Sequence, residues 1–446
     1  MILDVLIEGS HAGRLDLSRP NAPVLAYGSA HMSAESATPL STLFPLTAPR
    51  ASGARLRRWL EGLLPDNEQL LGSRLRAHGL HFYHRVKLLG TSMGEDCAGA
   101  VQFCPLERTE ALLAGEGGLD PISDDAVFDW LANLRDDPDY RPDPFKAIGG
   151  FSLGGVQPKI VLRRTGAGWA VPWGAEPSSH IVKVTRSGLY PHESLLEHVA
   201  LATAAGMGLA AAGSEVISRG DVEGIAVRRF DRLDSPGGLV RVHQEDLCQA
   251  LGYPPDLKYQ HLGGPAPAEI ASKLHDVDDP GSTRAVEAFR DLLAYQWLIV
   301  GNDAHARNYG LLLSGHSSRL APLYDACSWI PYRRAGEEIK DLSIAMTIGA
   351  GYEVAGADQP AAILDTAEKL QLPALACAER FQELASLMPD ALDATAQALP
   401  TAWQDLPIVA VYVMEQKQRA DSCQRIAAAG VRLARSHRPP TGRHMA

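Results

Sequence analysis

An aspartate with an asparagine five places on follows an apolar stretch, and a second aspartate comes one hairpin's length later. These are Asp303 and Asn308 in Gly301-Asn302-Asp303-Ala304-His305-Ala306-Arg307-Asn308, then Asp325 at the end of Leu320-Ala-Pro-Leu-Tyr324-Asp325. Before the run, Phe289, Leu292, Leu293 and Trp297 recur at helical spacing, which predicts a helix from Phe289 to Val300. After it, Tyr309-Gly-Leu-Leu-Leu313 and the segment ending at Asp325 read as two short strands joined by the polar turn Ser314-Gly-His-Ser-Ser318. That hairpin returns Asp325 to the side of Asn308. Phosphoryl transfer needs such a set: the first aspartate accepts the proton of an attacking hydroxyl, and the asparagine and second aspartate hold magnesium against nucleotide phosphates. An ordinary polar loop is the bland alternative for the same residues.

The middle of the chain offers the rest of a nucleotide site. Gly149-Gly-Phe-Ser-Leu-Gly-Gly155 runs into Val156-Gln157-Pro-Lys159-Ile-Val-Leu162. Glycines let backbone approach a phosphate closely, and successive amides form an anion nest. A flexible hairpin turn fits the same residues. His180-Ile-Val-Lys-Val184 reads as a strand with Lys183 among β-branched residues. A buried lysine needs an anionic partner, whereas an edge-strand lysine snorkels to water. The helix-like Glu193-Ser-Leu-Leu-Glu-His-Val-Ala200 follows, and Glu193 in its first turn is positioned to pair with Lys183. Gly224-Ile-Ala-Val-Arg-Arg-Phe-Asp-Arg232 reads as a strand entering a connector, where an adenine would meet backbone groups.

Length and composition bound the classes of function. With 446 residues, 46% hydrophobic and 21% charged, the chain has room for two or three domains with cores of their own. A formal charge of -11 argues against autonomous binding to a nucleic-acid backbone, though not against binding through a basic partner. The six cysteines form no C-x-x-C pair, so reduced buried thiols of a cytoplasmic protein are expected rather than a zinc or disulfide framework. The start, Met-Ile-Leu-Asp-Val-Leu-Ile-Glu, has no basic signal-peptide region, and no apolar run is long enough to span a membrane.

The organisation read from the pattern begins with residues 1–110. There Leu3–Glu8, Arg14–Leu17 and Val24–Tyr27 look like strands, with a turn at Gly9–Gly13 and a helix from about Ala54 to Leu64. Residues 111–145 read as a proline- and aspartate-rich linker with one short helix at Ala126–Leu131. Residues 146–240 alternate strands with one helix, and 241–435 are mainly helical apart from the hairpin carrying Asp325. Residues 436–446 read as a disordered tail, its end either natural or a cloning remnant.

Taken in order, Ser152-Leu-Gly-Gly-Val-Gln-Pro-Lys159, His180-Ile-Val-Lys183, Arg229-Phe-Asp-Arg232, His243-Gln-Glu-Asp-Leu-Cys-Gln249, Asn302–Asn308 and Pro322-Leu-Tyr-Asp325 resemble the HipA family. Pro39-Leu-Ser-Thr-Leu-Phe-Pro-Leu46 and Gly62-Leu-Leu-Pro-Asp-Asn67 resemble that family's N-terminal subdomain, so nearly the whole chain is covered. The family comprises bacterial serine/threonine kinase toxins of type II toxin–antitoxin systems. The resemblance implies an α+β, two-lobed, protein-kinase-like fold. Its N-terminal lobe would be β-rich with a HipA-type N-terminal subdomain, and its C-terminal lobe mainly helical.

Carried over by position, Asp303 would be the catalytic base, and Asn308 and Asp325 the Mg2+ ligands. Lys183 would meet the α- and β-phosphates of ATP. Gly154, Gly155, Val156, Gln157 and Lys159 would form the phosphate loop, with Arg228 and Phe230 at the hinge and Tyr324 beside the nucleotide. His305 reads as a catalytic-loop residue near the phosphates, since no second histidine stands at zinc spacing. Ser152 falls where the family autophosphorylates, which disables the kinase by expelling the loop. Pro158 replaces an acidic residue of the family loop and removes an amide donor, and Arg228 stands where the best-known members have glutamate.

The activity so implied is phosphorylation of a translation component such as an aminoacyl-tRNA synthetase, leading to growth arrest and persistence. A HipB-like DNA-binding antitoxin would be the partner, with DNA engaged only through it. A non-catalytic nucleotide-binding regulator is the alternative, opposed by the intact Asp303, Asn308 and Asp325. A metal-dependent hydrolase or nuclease using Asp303, His305 and Asp325 is opposed by the acidic balance.

Overall fold

The computed structural model describes residues 1–436 apart from 20, 143–149, 156, 186, 187, 189, 278–280 and 335. The chain opens with a five-stranded antiparallel sheet in the order β4-β3-β2-β1-β5. Its strands are β1 (Ile2–Ile7), β2 (Ser10–Asp16), β3 (Val24–Tyr27), β4 (Arg50–Ser52) and β5 (Val101–Pro105). The β1–β2 turn is tighter than the expected Gly9–Gly13: Glu8 and Gly9 alone make it, at φ 53° and 74°, and Ser10 already pairs with Ile7. The helix Ala54–Gly62 buries Leu56, Trp59 and Leu60 against this sheet, in a core with Leu15, Leu25 and Phe103.

A second sheet of six strands has the order β10-β11-β9-β7-β8-β6. It comprises β6 (Gly117–Ile122), β7 (Lys159–Thr165), β8 (Gly168–Gly174), β9 (His180–Val184), β10 (Ser214–Arg219) and β11 (Val222–Arg228). Here the expected linker is corrected. Within it, β6 pairs along the edge of β8, and the helix Asp124–Asp136 covers one face of the sheet. Val127, Trp130, Leu131 and Leu134 recur at helical spacing and pack on Leu162, Trp169 and Val182. The surrounding prolines and aspartates mask that stripe in the sequence. The helix Glu193–Gly206 packs beside β10 and β11 with Leu195, Leu196, Val199 and Ala200 buried.

The strands β12 (Arg232–Ser235) and β13 (Gly238–Arg241) form a hairpin leading to β14 (His243–Asp246). The predicted hairpin near Asp325 is β15 (Gly310–Ser314) and β16 (Ser317–Leu320), with β15 between β14 and β16. The second strand ends at Leu320, and residues 321–325 run on outside the ladder. The expected helix is Arg284–Ile299, five residues longer at its start than predicted. It joins Pro360–Lys369, Ala374–Ala398 and Pro407–Ser436 around Phe289, Trp297, Phe381 and Tyr412. A small hairpin, β17 (Ser343–Ile348) and β18 (Gly351–Glu353), lies outside the predictions.

Two buried polar clusters tie the N-terminal subdomain to the kinase-like part. Glu245 on β14, 1% exposed, accepts from Ser41 Oγ at 2.6 Å, Thr42 N at 2.9 Å, Thr42 Oγ1 at 2.6 Å and Trp59 Nε1 at 3.0 Å. Beyond β11, Arg229 forks onto Asp231 at 2.9 and 2.8 Å, and Arg232 meets Asp96 at 2.9 Å. Burial alone would raise both carboxyls, but Arg229 and Arg232 hold Asp231 and Asp96 below the usual carboxylate range. Buried charges of this kind are tolerated only when paired and bridged, as here.

Candidate active site

The helix Arg284–Ile299 stops at Val300, which turns left-handed at φ 56°, and Gly301 N closes onto Gln296 O at 2.7 Å. This delivers Asp303 at the start of a self-closed segment. His305 N donates to Asp303 O at 2.8 Å, Asn308 Nδ2 to the same carbonyl at 2.7 Å, and Asn308 N to His305 O at 2.9 Å. Binding its own segment through Nδ2 leaves the side-chain carbonyl of Asn308 as an acceptor. Tyr324 Oη reaches Arg307 O at 2.8 Å, which fixes the chain just before Asp325. Asp325 is itself left-handed at φ 54°, a conformation uncommon outside glycine and concentrated at functional positions.

Lys183 projects from β9, which lies between β7 and β11, so the edge-strand alternative is excluded. Its Nζ sits 2.5 Å from Asp325 Oδ1 and 2.7 Å from Glu197 Oε1. The expected partner Glu193 is thereby corrected. Glu197, one turn further along the same helix face, reaches the lysine, while Glu193 lines the neighbouring cavity wall. Burial disfavours the Lys183 ammonium, but Asp325 and Glu197 outweigh it and hold the group charged. In turn Lys183, with Lys159, holds Asp325 ionised against the cost of burial.

The phosphate-loop candidates close the other side. Lys159 Nζ donates to Gly154 O at 2.7 Å, and burial and the Lys183 charge push Lys159 down to about 8. Gly154 has no room for a side chain because a Cβ would strike the Arg307 guanidinium, and Gly155 adopts φ +100° over Lys159. Gln157 Nε2 contacts Val184 O at 3.4 Å. Val156 lies outside the described residues. Arg228 turns its guanidinium outward to Asp234, at 2.5 Å, and its backbone N donates to Gly213 O at 2.7 Å. The rings of Phe230 and Tyr324 lie 5.1 Å apart at 32°.

One cavity of about 500 Å³ is lined by Gly154, Gly155, Gln157, Lys159, Lys183, Glu193, Arg228, Phe230, Asp303, His305, Asn308, Tyr324 and Asp325. Ser152 is not on its wall. It is fully buried, with Oγ donating to Leu63 O at 2.8 Å and its N to Asp96 O at 3.1 Å. Sequence reading did not single out four further residues at the cavity: Glu197, Tyr259, Asp66 and Lys258. Tyr259 Oη donates to Asp303 Oδ1, and Asp66 meets Arg307 and lies 3.5 Å from Lys258. Glu197 was discoverable as the residue one turn beyond Glu193. Asp66 falls within residues 62–67, but nothing local ties it to Arg307, 241 residues on, or Tyr259 to Asp303, 44 residues on. Burial, then the Asp325 charge, raises Asp303, whereas burial and Lys258 push His305 down to about 3, so its imidazole is neutral.

Oxygen donors from one carboxylate and one amide, open on the cavity side, suit a hard cation that completes its shell with phosphate and water. Asn308 and Asp325 offer that set. The arrangement places an acceptor for a hydroxyl proton, cationic amines and a cation-ready oxygen pair around one space.

A β-rich lobe, a helical lobe and an enclosed cleft between them define a protein kinase of the two-lobed class. Residues 3–104 match the HipA N-terminal domain and residues 151–396 the HipA-like C-terminal domain. The chain belongs to the HipA family and is a protein serine/threonine kinase. It is 31% identical over 365 residues to "Putative kinase Y4mE" of Sinorhizobium fredii, covering 81% of this chain and 83% of that protein. It is 28% identical to the serine/threonine-protein kinase toxin HipA of Shewanella oneidensis, covering 83% and 84%. The fold matches a HipA structure from a complex of Shewanella oneidensis HipA, HipB and operator DNA, with a TM-score of 0.80 at 24% identity, covering 98% of this chain and 100% of that one. Among the described residues no helix is long and apolar enough to cross a membrane.

Proposed function

We propose that the chain is the kinase toxin of a toxin–antitoxin module, transferring the γ-phosphate of ATP to a serine or threonine of a protein. The carrying observation is the convergence of Asp303, Asn308, Asp325 and Lys183 on one cavity. A substrate hydroxyl donates to Asp303, which orients it and takes its proton as the new oxygen–phosphorus bond forms and the bond to the ADP oxygen breaks. Lys183 stands ready to exchange Asp325 for the phosphates, with Glu197 holding it in place. Asn308 and Asp325 would hold Mg2+, which when bound neutralises phosphate charge. Phe230 and Tyr324 flank the hinge, where the adenine is placed. A translation component such as an aminoacyl-tRNA synthetase is the target class, and a HipB-like antitoxin the partner that links the chain to DNA. The kinship with a relative named as a HipA toxin, and with one solved beside HipB and operator DNA, supports that assignment.

Regulation follows from Ser152. A phosphoserine cannot donate to the Leu63 carbonyl and brings about -1.5 to -2 charges into a space with no solvent. Once phosphorylated, the loop cannot reseat, and reaction between molecules is favoured because the seated Ser152 lies off the cavity. Incubation of the full chain with γ-labelled ATP and cell lysate tests the proposal. Label on discrete proteins, absent with Asp303→Ala, is expected. No transfer from wild-type protein, or equal transfer from the variant, overturns it.

A further inference from the structure

The Tyr259 hydroxyl already makes the bond that Asp303 is expected to offer a substrate. It donates to Asp303 Oδ1, and its ring stands edge-on to His305 at 4.9 Å between centroids. The segment bearing it is clamped on both sides. Ala306 N donates to Lys258 O at 3.1 Å, on the catalytic segment, and Thr347 N donates to Gln260 Oε1 at 3.1 Å, on β17. Within the segment Tyr259 O accepts from Leu262 N at 3.0 Å and Gly264 N at 2.9 Å. The phenol is thus presented by a fixed backbone, with the effective concentration of an intramolecular group.

A kinase cleft holding ATP beside an ionised base faces a competing reaction. A water that donates to the base attacks phosphorus, its proton passes to Asp303, and the products are ADP and inorganic phosphate. A single water gains no more from Asp303 than the phenol does, so it competes poorly. A protein serine arrives with the binding energy of its whole chain and can displace the phenol. We propose that Tyr259 determines acceptor specificity, occupying Oδ1 of Asp303 until a protein hydroxyl replaces it and so suppressing hydrolysis of ATP. The inference rests on Asp303 being the base.

The test uses the full chain with Mg-ATP and dephosphorylated casein as acceptor probe. Inorganic phosphate release without casein and phosphate transfer to casein are measured separately. Tyr259→Phe is expected to raise phosphate release by about tenfold to a hundredfold, the factor for losing one hydrogen bond to a charged group, and to raise the ratio of phosphate release to casein transfer at least several-fold. A parallel fall in both reactions would make Tyr259 a support for Asp303 and overturn the inference. So would unchanged rates, or phosphate found on Tyr259 by peptide mass spectrometry. Tyr259→Leu removes the same hydroxyl and is read in the same way if Tyr259→Phe fails to fold. Failure of the kinase reading looks different: wild-type protein then labels no protein in casein or lysate, and Asp303→Ala releases phosphate as fast as wild type.

Discussion

Lys183 Nζ lies 2.7 Å from Glu197 Oε1, and both side chains are almost wholly removed from solvent. Glu197→Gln keeps the shape but leaves the ammonium to Asp325 alone, so Lys183 is drawn off the phosphates. A hydrogen bond to a charged group contributes roughly 1.5–3 kcal/mol, so phosphotransfer is expected to fall by about tenfold to a hundredfold. Glu193→Gln is expected to cost much less. Parallel kinetics on both variants check the assignment, and equal losses would return Glu193 to the role.

Asp303→Ala is expected to lower phosphotransfer by about 10²–10⁴-fold, the usual worth of a general base, with ATP affinity largely kept. Asp325→Ala is expected to abolish the magnesium dependence of ATP binding, and Lys183→Ala to weaken ATP binding with less effect on magnesium. Calorimetry with and without magnesium separates them. Wild-type ATP affinity in both binding variants would refute the nucleotide site.

Ser152→Asp places a carboxylate against the Leu63 carbonyl, where the native hydroxyl donates at 2.8 Å. The loop is expected to leave, carrying Gly154 and Gly155 away from Lys159 at the start of β7, and ATP affinity to drop. Wild-type protein incubated with Mg-ATP is expected to gain a phosphate at Ser152, read by peptide mass spectrometry. Normal ATP binding by Ser152→Asp, together with phosphate only at other sites, would leave Ser152 a purely structural serine.

Lys159 predicts a pH dependence. In the free protein burial, then Lys183, depress it to about 8, below the unfolded value of roughly 10.4. ATP binds the ammonium, so affinity is highest below pH 8 and falls as pH rises through it. The stability contribution has the opposite sign. Between the folded and unfolded pKa values the unfolded chain holds the extra proton, so this group lets stability rise with pH across that window. Lys159→Arg stays charged and is expected to flatten the affinity profile; an unchanged fall above pH 8 would exclude Lys159 as its source.

Glu245→Ala removes the acceptor of four donors from the N-terminal subdomain. Each buried donor left unpaired costs about 1–3 kcal/mol, so a loss of several kcal/mol is expected in denaturant unfolding, with the subdomain separating first. A loss below about 1 kcal/mol would show that the two parts are held elsewhere.

Local pattern carried much of this molecule. The stripe Phe289, Leu292, Leu293 and Trp297 specifies a helix because burying one face requires that period. The polar run 314–318 marks a hairpin, but the turn itself is only Gly315 and His316, and Ser317 and Ser318 already pair in β16. The order of the motifs identified the kinase family because each occupies its own place along one cleft. Residues 111–145 read as a linker because prolines and aspartates surround the apolar residues, although Val127, Trp130, Leu131 and Leu134 suffice to cover a sheet. Only the tertiary structure decided between Glu193 and Glu197, since both lie on one helix face and the choice depends on how that helix docks beside β9. It alone placed Tyr259 on Asp303 and Asp66 on Arg307, and it seated Ser152 against the Leu63 carbonyl, off the cavity wall. Sequence periodicity reports which face of an element is buried; which groups meet across the core depends on packing between elements far apart in the chain.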